Sequence, residues 1–221
     1  YPEHLELALT TADVERIRAS GRVASLIGLE GGHAIEGSLA ALRMLHALGV
    51  RYITLTHSSN SEWADAATDA PEHHGLTEFG EEVVREMNRL GIFVDLSHVS
   101  EATMRDALRV SAAPVIFSHS SARSLVDHPR NVPDDVLRQL KANGGVVMVN
   151  FCPCLIAPGY AAWEATFRAE VERLRAELDD EAEIARRARE WRRANPPPRG
   201  TAGDVADHVD ALVRAAGIDH V

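Results

Sequence analysis

Two stretches decide the fold of this chain: Ile92-Phe-Val-Asp-Leu-Ser-His98 and, further on, Pro114-Val-Ile-Phe-Ser-His119. Each is a short apolar run that closes on Ser-His. Runs of that length, rich in Val, Ile and Phe, read as buried strands of a parallel sheet. Working outward, Tyr52-Ile-Thr-Leu-Thr-His57 has the same form, as do Val23-Ala-Ser-Leu-Ile-Gly-Leu-Glu30 and Gly145-Val-Val-Met-Val-Asn150. The five strands therefore end on Glu30, His57, His98, His119 and Asn150.

Helical spacing fills the gaps. Leu39, Leu42, Leu45 and Leu48 recur at helical intervals, and Gly49 stops the run. Thr77 is placed to cap a helix that runs through Val83, Val84 and Met87 to Leu90, with Gly91 behind it. Ser100 caps a segment through Met104 and Leu108, and Pro133-Asp-Asp135 opens another. Strand then helix, repeated, predicts an α/β fold with a parallel sheet. Chemistry-capable residues at the carboxyl ends of the strands suit a (β/α)8 barrel, whose active site lies there. Side-chain alternation extends this expectation. If the histidines point into the barrel, Ile53 and Leu55, Val94 and Leu96, and Val115 and Phe117 point inward with them.

A full barrel needs eight strands and about 250 residues, whereas five strands are clear in these 221 residues. The expectation is one incomplete catalytic barrel over residues 1–221, with a charge-rich helical excursion at about 161–194 that projects from it. The stretch Asn195-Pro-Pro-Pro198 breaks the excursion, and a last helix over residues 204–216 leads to Gly217-Ile-Asp-His-Val221, which reads as the first residues of a further strand. Strands are expected to be missing at both ends. The chain opens on Tyr1, not Met, so its natural N-terminus is expected to lie upstream, with a cytoplasmic location as the default expectation.

Composition removes several function classes. Hydrophobic residues make up 45% and charged residues 25%, an ordinary globular balance. The net charge of −10 argues against nucleic acid, which is bound through Lys and Arg. No stretch approaches the ~20 apolar residues of a membrane span. Two cysteines, Cys152 and Cys154, exclude a disulfide-built scaffold, and a bridge across one intervening residue is strained.

Imidazole and carboxylate at neighbouring strand ends make a plausible donor set for Zn²⁺, which activates water through an open coordination position. The remaining histidines carry no assignment: His33, His73 and His74 fall in loops, and His128 and His208 are expected at the surface. Asp95 alternates away from His98 and is expected to bond neighbouring backbone.

Several longer motifs stand in order: Gly28-Leu-Glu-Gly-Gly-His33, Leu55-Thr-His-Ser-Ser-Asn60 with Trp63-Ala-Asp65, Gly75-Leu-Thr-Glu-Phe-Gly80, Asp95-Leu-Ser-His-Val-Ser100, Pro114-Val-Ile-Phe-Ser-His-Ser-Ser121 and Arg130-Asn-Val-Pro-Asp-Asp135. Together they resemble the membrane (renal-type) dipeptidase family, in register from about residue 23 to residue 151. The resemblance implies a barrel of the metal-dependent hydrolase type, with two zinc ions as cofactors and a dipeptide as substrate. It implies that Glu30 bridges the two zinc ions and that His98 and His119 ligate the second. It implies that His57 binds the scissile carbonyl and stabilises its developing oxyanion, and that Arg130 contacts the substrate's carboxylate side. A hydroxide shared by the two ions would attack the peptide carbonyl. A homodimer is the one assembly considered.

This sequence departs from the family pattern in places. The family's other zinc uses a His-x-Asp pair at the end of a first strand, and none precedes Glu30; His4, Leu5 and Glu6 lie on no strand pattern. The family's acid/base aspartate falls just beyond Asp219-His-Val221. Ser59 stands where many members carry cysteine. The competing functions are a barrel amidohydrolase acting on another amide or lactone, and a homologue that binds without catalysis.

Overall fold

Local chemistry starts and stops most of the helices. A computed structural model describes residues 1–221. Its first elements are β1 (Leu5–Leu7), α1 (Thr11–Ala19), β2 (Val23–Ser25), β3 (Ile27–Glu30), α2 (Leu39–Ala47) and β4 (Val50–Thr54). They are followed by α3 (Glu78–Leu90), β5 (Phe93–Asp95), α4 (Glu101–Val110), β6 (Ile116–Ser120), α5 (Asp134–Asn143) and β7 (Val146–Val149). The chain continues through α6 (Pro153–Ile156), α7 (Tyr160–Glu177), α8 (Glu181–Ala194) and α9 (Ala202–Ala216). Thr77 accepts from the Gly80 amide at the start of α3, and Gly91 ends that helix at φ 76°. Ser100 caps α4 through Thr103, and Thr201 forms a reciprocal capping box with Asp204 on α9.

Strands β3 to β7 form one parallel sheet in strictly sequential order, β3-β4-β5-β6-β7. Sequential parallel neighbours, each joined through a helix or loop, are the wiring of a β/α barrel; a doubly wound sheet reverses direction partway. The expected (β/α)8-type architecture is present as a five-stranded portion. One buried apolar cluster joins the sheet to its helices: Ile53, Leu55, Val94, Leu96, Val115, Phe117 and Val147 lie among Val83, Val84, Met87, Met104, Leu137, Leu140 and Leu212. No helix is long and apolar enough to cross a membrane.

The structure corrects four expectations. The apolar residues expected inside the barrel lie instead on the outer face, beneath the helices. The alternate positions Phe93 and Met148 are 43% and 42% exposed on the face a closed barrel would enclose. Second, Leu5–Leu7 is a strand after all, paired in parallel with β2, Leu5 against Val23. Its short alternating pattern offered no apolar run to detect. Third, residues 218–220 form a 3₁₀ turn instead of a strand start. The turn is tied down where His220 Nδ1 meets the Gly145 carbonyl at 2.7 Å. Fourth, His208 is buried, and its Nδ1 accepts from the Ala122 amide.

Residues 161–194 are helical, as expected. They form a hairpin of α7 and α8 with a small core of its own, Leu174, Ile184 and Ala188. Its charged faces are laced by pairs such as Arg173 with Glu170 and Glu177, and Arg186 with Glu183 and Glu190. Exposed pairs of this kind are screened by solvent and each contributes little. The hairpin's apolar side chains join its own core and not that of the sheet, as its charge density predicts.

Candidate metal centre

Strand register sets the level of each site residue. Glu30 pairs with Thr54, Thr54 with Asp95, and Asp95 with Ile116. His57, His98 and His119 each lie three residues beyond their own rung of that ladder. All three imidazoles therefore leave the sheet at one height, over its carboxyl edge. Simple alternation does not bring them to the inner side. His98 adopts φ 72°, a left-handed backbone that few non-glycine residues take, and β6 shifts register between Phe117 and Ser120. Strain of that kind collects at functional sites.

Glycines bring the glutamate in. Gly31 takes φ 109°, and its amide bonds the Thr54 carbonyl at 3.1 Å. A Cβ on Gly32 would collide with the Leu55 carbonyl oxygen and the Trp63 ring. The chain beyond Glu30 thus crosses directly over the end of β4, which only glycine permits.

Glu30 Oε1 lies 3.1 Å from His98 Nε2 and 3.1 Å from His119 Nε2, and the two nitrogens are 2.8 Å apart. A tetrahedral ion with bonds of about 2.0–2.2 Å sets its donors about 3.3 Å apart. One carboxylate oxygen and two imidazole nitrogens at these spacings form one face of such a polyhedron, and their chemistry suits a divalent metal. His57 stands across the glutamate, its Nε2 3.8 Å from Glu30 Oε2 and its ring 4.5 Å from that of His98.

Burial favours the neutral imidazole at His98 and His119, as metal ligation requires. The pKa of His98 is depressed to about 3, first by desolvation and then by the nearby Arg130, His119 and His57. That of His119 is lowered by desolvation and Arg130, against the pull of Asp95 and Glu30. Arg130 is itself 9% exposed. Its Nη2 donates to the His119 carbonyl at 3.1 Å, while its Nε is buried with no partner. Desolvation lowers its pKa, with Glu30 and Asp95 opposing. A buried guanidinium with unspent donors is a ready receptor for an anion.

Glu30, His57, His98, His119 and Arg130, the residues picked from sequence, thus stand in one place. Asn150 does not join them; its Oδ1 accepts from the Cys152 amide. His33, which lies in a 3₁₀ turn over Gly32–Ile35 and not in a loop, bonds the Asn60 carbonyl, and His73, in a loop, bonds the Ser61 carbonyl. What sequence reasoning underrated is Asp95. It is fully buried, and its oxygens accept from Thr54 Oγ1, the Ser97 amide, the Ser118 amide and Ser118 Oγ. The serine that precedes each histidine in Ser97-His98 and Ser118-His119 was the available signal.

A parallel barrel portion carrying a carboxylate–imidazole donor face at its carboxyl edge has the architecture of a barrel protein with a metal centre. More narrowly, the chain belongs to the membrane dipeptidase family, peptidase family M19, whose model matches residues 1–221. It is 56% identical over 156 residues to Dipeptidase tcpJ of Claviceps purpurea, a match covering 70% of this chain and 37% of that protein. It is 46% identical over 181 residues to Dipeptidase 3 of Macaca fascicularis, covering 80% of this chain and 37% of that protein. The matched stretches therefore cover well under half the length of these curated relatives.

Among solved structures, the fold matches the probable dipeptidase PvdM from Pseudomonas aeruginosa with a TM-score of 0.84 at 24% identity, over 100% of this chain and 62% of that one. It matches a metallo peptidase from Rhodobacter sphaeroides, liganded with a phosphinate mimic of the dipeptide L-Ala-D-Ala, with a TM-score of 0.75 at 26% identity, over 99% of this chain and 54% of that one.

Proposed function

We propose that residues 1–221 contribute to a zinc-dependent dipeptidase, acting as part of one catalytic barrel. The observation that carries this is the convergence of Glu30 Oε1, His98 Nε2 and His119 Nε2 within 3.1 Å of one another. In this assignment His98, His119 and Glu30 would hold one zinc ion, and Glu30 would be shared with a second. Bound there, zinc supplies an acidified water and Lewis acidity for the scissile carbonyl.

The chain's own residues do the rest. His57, on the open side of Glu30, donates to the substrate carbonyl oxygen as it gains charge. Arg130 offers the terminal donors of its guanidinium to the substrate carboxylate and so fixes the scissile bond at one distance from the metal face. Family membership supports the dipeptide as substrate, and the phosphinate dipeptide mimic bound to the Rhodobacter relative supports the same class.

Metal analysis of two variants of the whole protein tests the assignment. His119→Ala should lose zinc, because one of few donors is gone. His57→Ala should keep its zinc and lose about 10²–10³ in turnover, the cost of removing one oxyanion donor. Zinc lost from His57→Ala but fully retained in His119→Ala would overturn both roles.

A further inference from the structure

His119 does not stand alone. Its Nδ1 lies 2.7 Å from Ser118 Oγ, and that hydroxyl donates to Asp95 Oδ2 at 2.5 Å. The hydroxyl has one proton. With it committed to the carboxylate, Ser118 Oγ meets Nδ1 only as an acceptor. His119 must then carry its proton on Nδ1, which leaves Nε2 with a free lone pair toward Glu30 and His98. In the metal-free protein, His98 Nε2 is the donor across the 2.8 Å gap to His119 Nε2.

Asp95 is held firmly enough to act as the anchor. It is fully buried, and donors from three strand ends converge on it: Thr54 on β4, Ser97 beyond β5, and Ser118 on β6. Ser97 Oγ also accepts from the His119 backbone amide at 2.9 Å, so the ring and the backbone of His119 are fixed by separate serines.

We propose that Ser118 is a positioning residue for the metal centre: anchored by the Asp95 carboxylate, its hydroxyl accepts from His119 Nδ1 and presents Nε2, unprotonated and aimed, to the metal. This rests on the assignment of His119 as a ligand. It adds that the carboxylate acts on the imidazole through an interposed serine, where metal-binding histidines more often meet the carboxylate directly.

The test uses the whole protein freed of metal, with Zn²⁺ alone as the probe. Long-range ¹H–¹⁵N NMR should show His119 as the Nδ1–H tautomer in the unsubstituted protein, a readout that needs no variant. Ser118→Ala should abolish that preference and weaken zinc binding 10–100-fold in competition with a chelator, the usual cost of losing such a partner. Ser118→Thr keeps a hydroxyl and should restore both. An Nε2–H tautomer in the unsubstituted protein, or a folded Ser118→Ala with unchanged tautomer and affinity, overturns the proposal. His119→Ala separates the two levels. If it binds zinc fully, the ligand assignment itself fails; if it loses zinc while Ser118→Ala does not, only the role of Ser118 falls.

Discussion

Arg130 is the residue whose environment says most about the substrate. Its guanidinium is buried, yet the only hydrogen bond its side chain makes in this chain is to the His119 carbonyl. The remaining donors of that guanidinium suit a planar anion, and a carboxylate meets a guanidinium fork better than it meets an ammonium. Arg130→Lys should therefore raise KM for a dipeptide and lower kcat/KM about 10–100-fold, the worth of a hydrogen bond to a charged group. Zinc content should stay unchanged. Steady-state kinetics with metal analysis checks this, and an unaltered KM would remove Arg130 from substrate binding.

At the scale of elements, the Glu30-Gly31-Gly32 turn does what no side chain can. It folds β3 back over the end of β4 so closely that the Leu55 carbonyl and the Trp63 ring occupy the place of a Cβ on Gly32. The carbonyl is part of the strand and cannot swing away. Gly32→Ala should destabilise the fold by about 1–3 kcal/mol, the range for overpacking, and should weaken zinc binding by displacing Glu30. Denaturant unfolding and chelator competition measure the two effects. An unfolding midpoint identical to that of the unsubstituted protein would contradict the packing account.

Across the whole molecule, buried neutral histidines link stability to pH. Desolvation leads the causes that lower the pKa of His98, His119 and His208, and that of His98 reaches about 3. Their unfolded value is about 6.5. Below that pH the unfolded chain binds protons that the fold refuses. Stability of the metal-free protein therefore rises with pH from about 3 to about 6.5 and levels off above it. Its denaturant midpoint should fall between pH 7 and pH 5; equal midpoints would show these histidines to be freely protonated in the fold. Size selection belongs to the same scale. With Arg130 reading one end of the substrate near the metal face, dipeptides should be cleaved and long peptides refused, because a displaced carboxylate leaves the buried guanidinium unpaired. Comparable turnover of dipeptides and long polypeptides in a direct assay would refute that.

Much of this was legible in the chain. The apolar runs, the caps at Thr77 and Ser100 and the stop at Gly91 are local signals, and local signals determine where strands and helices form. The ordered motifs around Glu30, His57, His98, His119 and Arg130 carried the family and the list of site residues. Periodicity, however, describes a strand only while it remains a strand. Past the ends of β4 and β5, and at the shift in β6, the backbone turns, so the face inferred for Leu55, Leu96 and Phe117 was the wrong one. The burial of His208 rests on the amide of Ala122, far away in sequence, and no local pattern announces such a partner. The Asp95–Ser118–His119 chain likewise exists only because the register of three strands sets Asp95 beside Thr54 and Ile116, which brings Ser118, two residues further along β6, within reach of its carboxylate. Which residues carry chemistry is a property of residue type and spacing. Which way each one points, and what holds it there, depends on long-range pairing, which forms only when the sheet does.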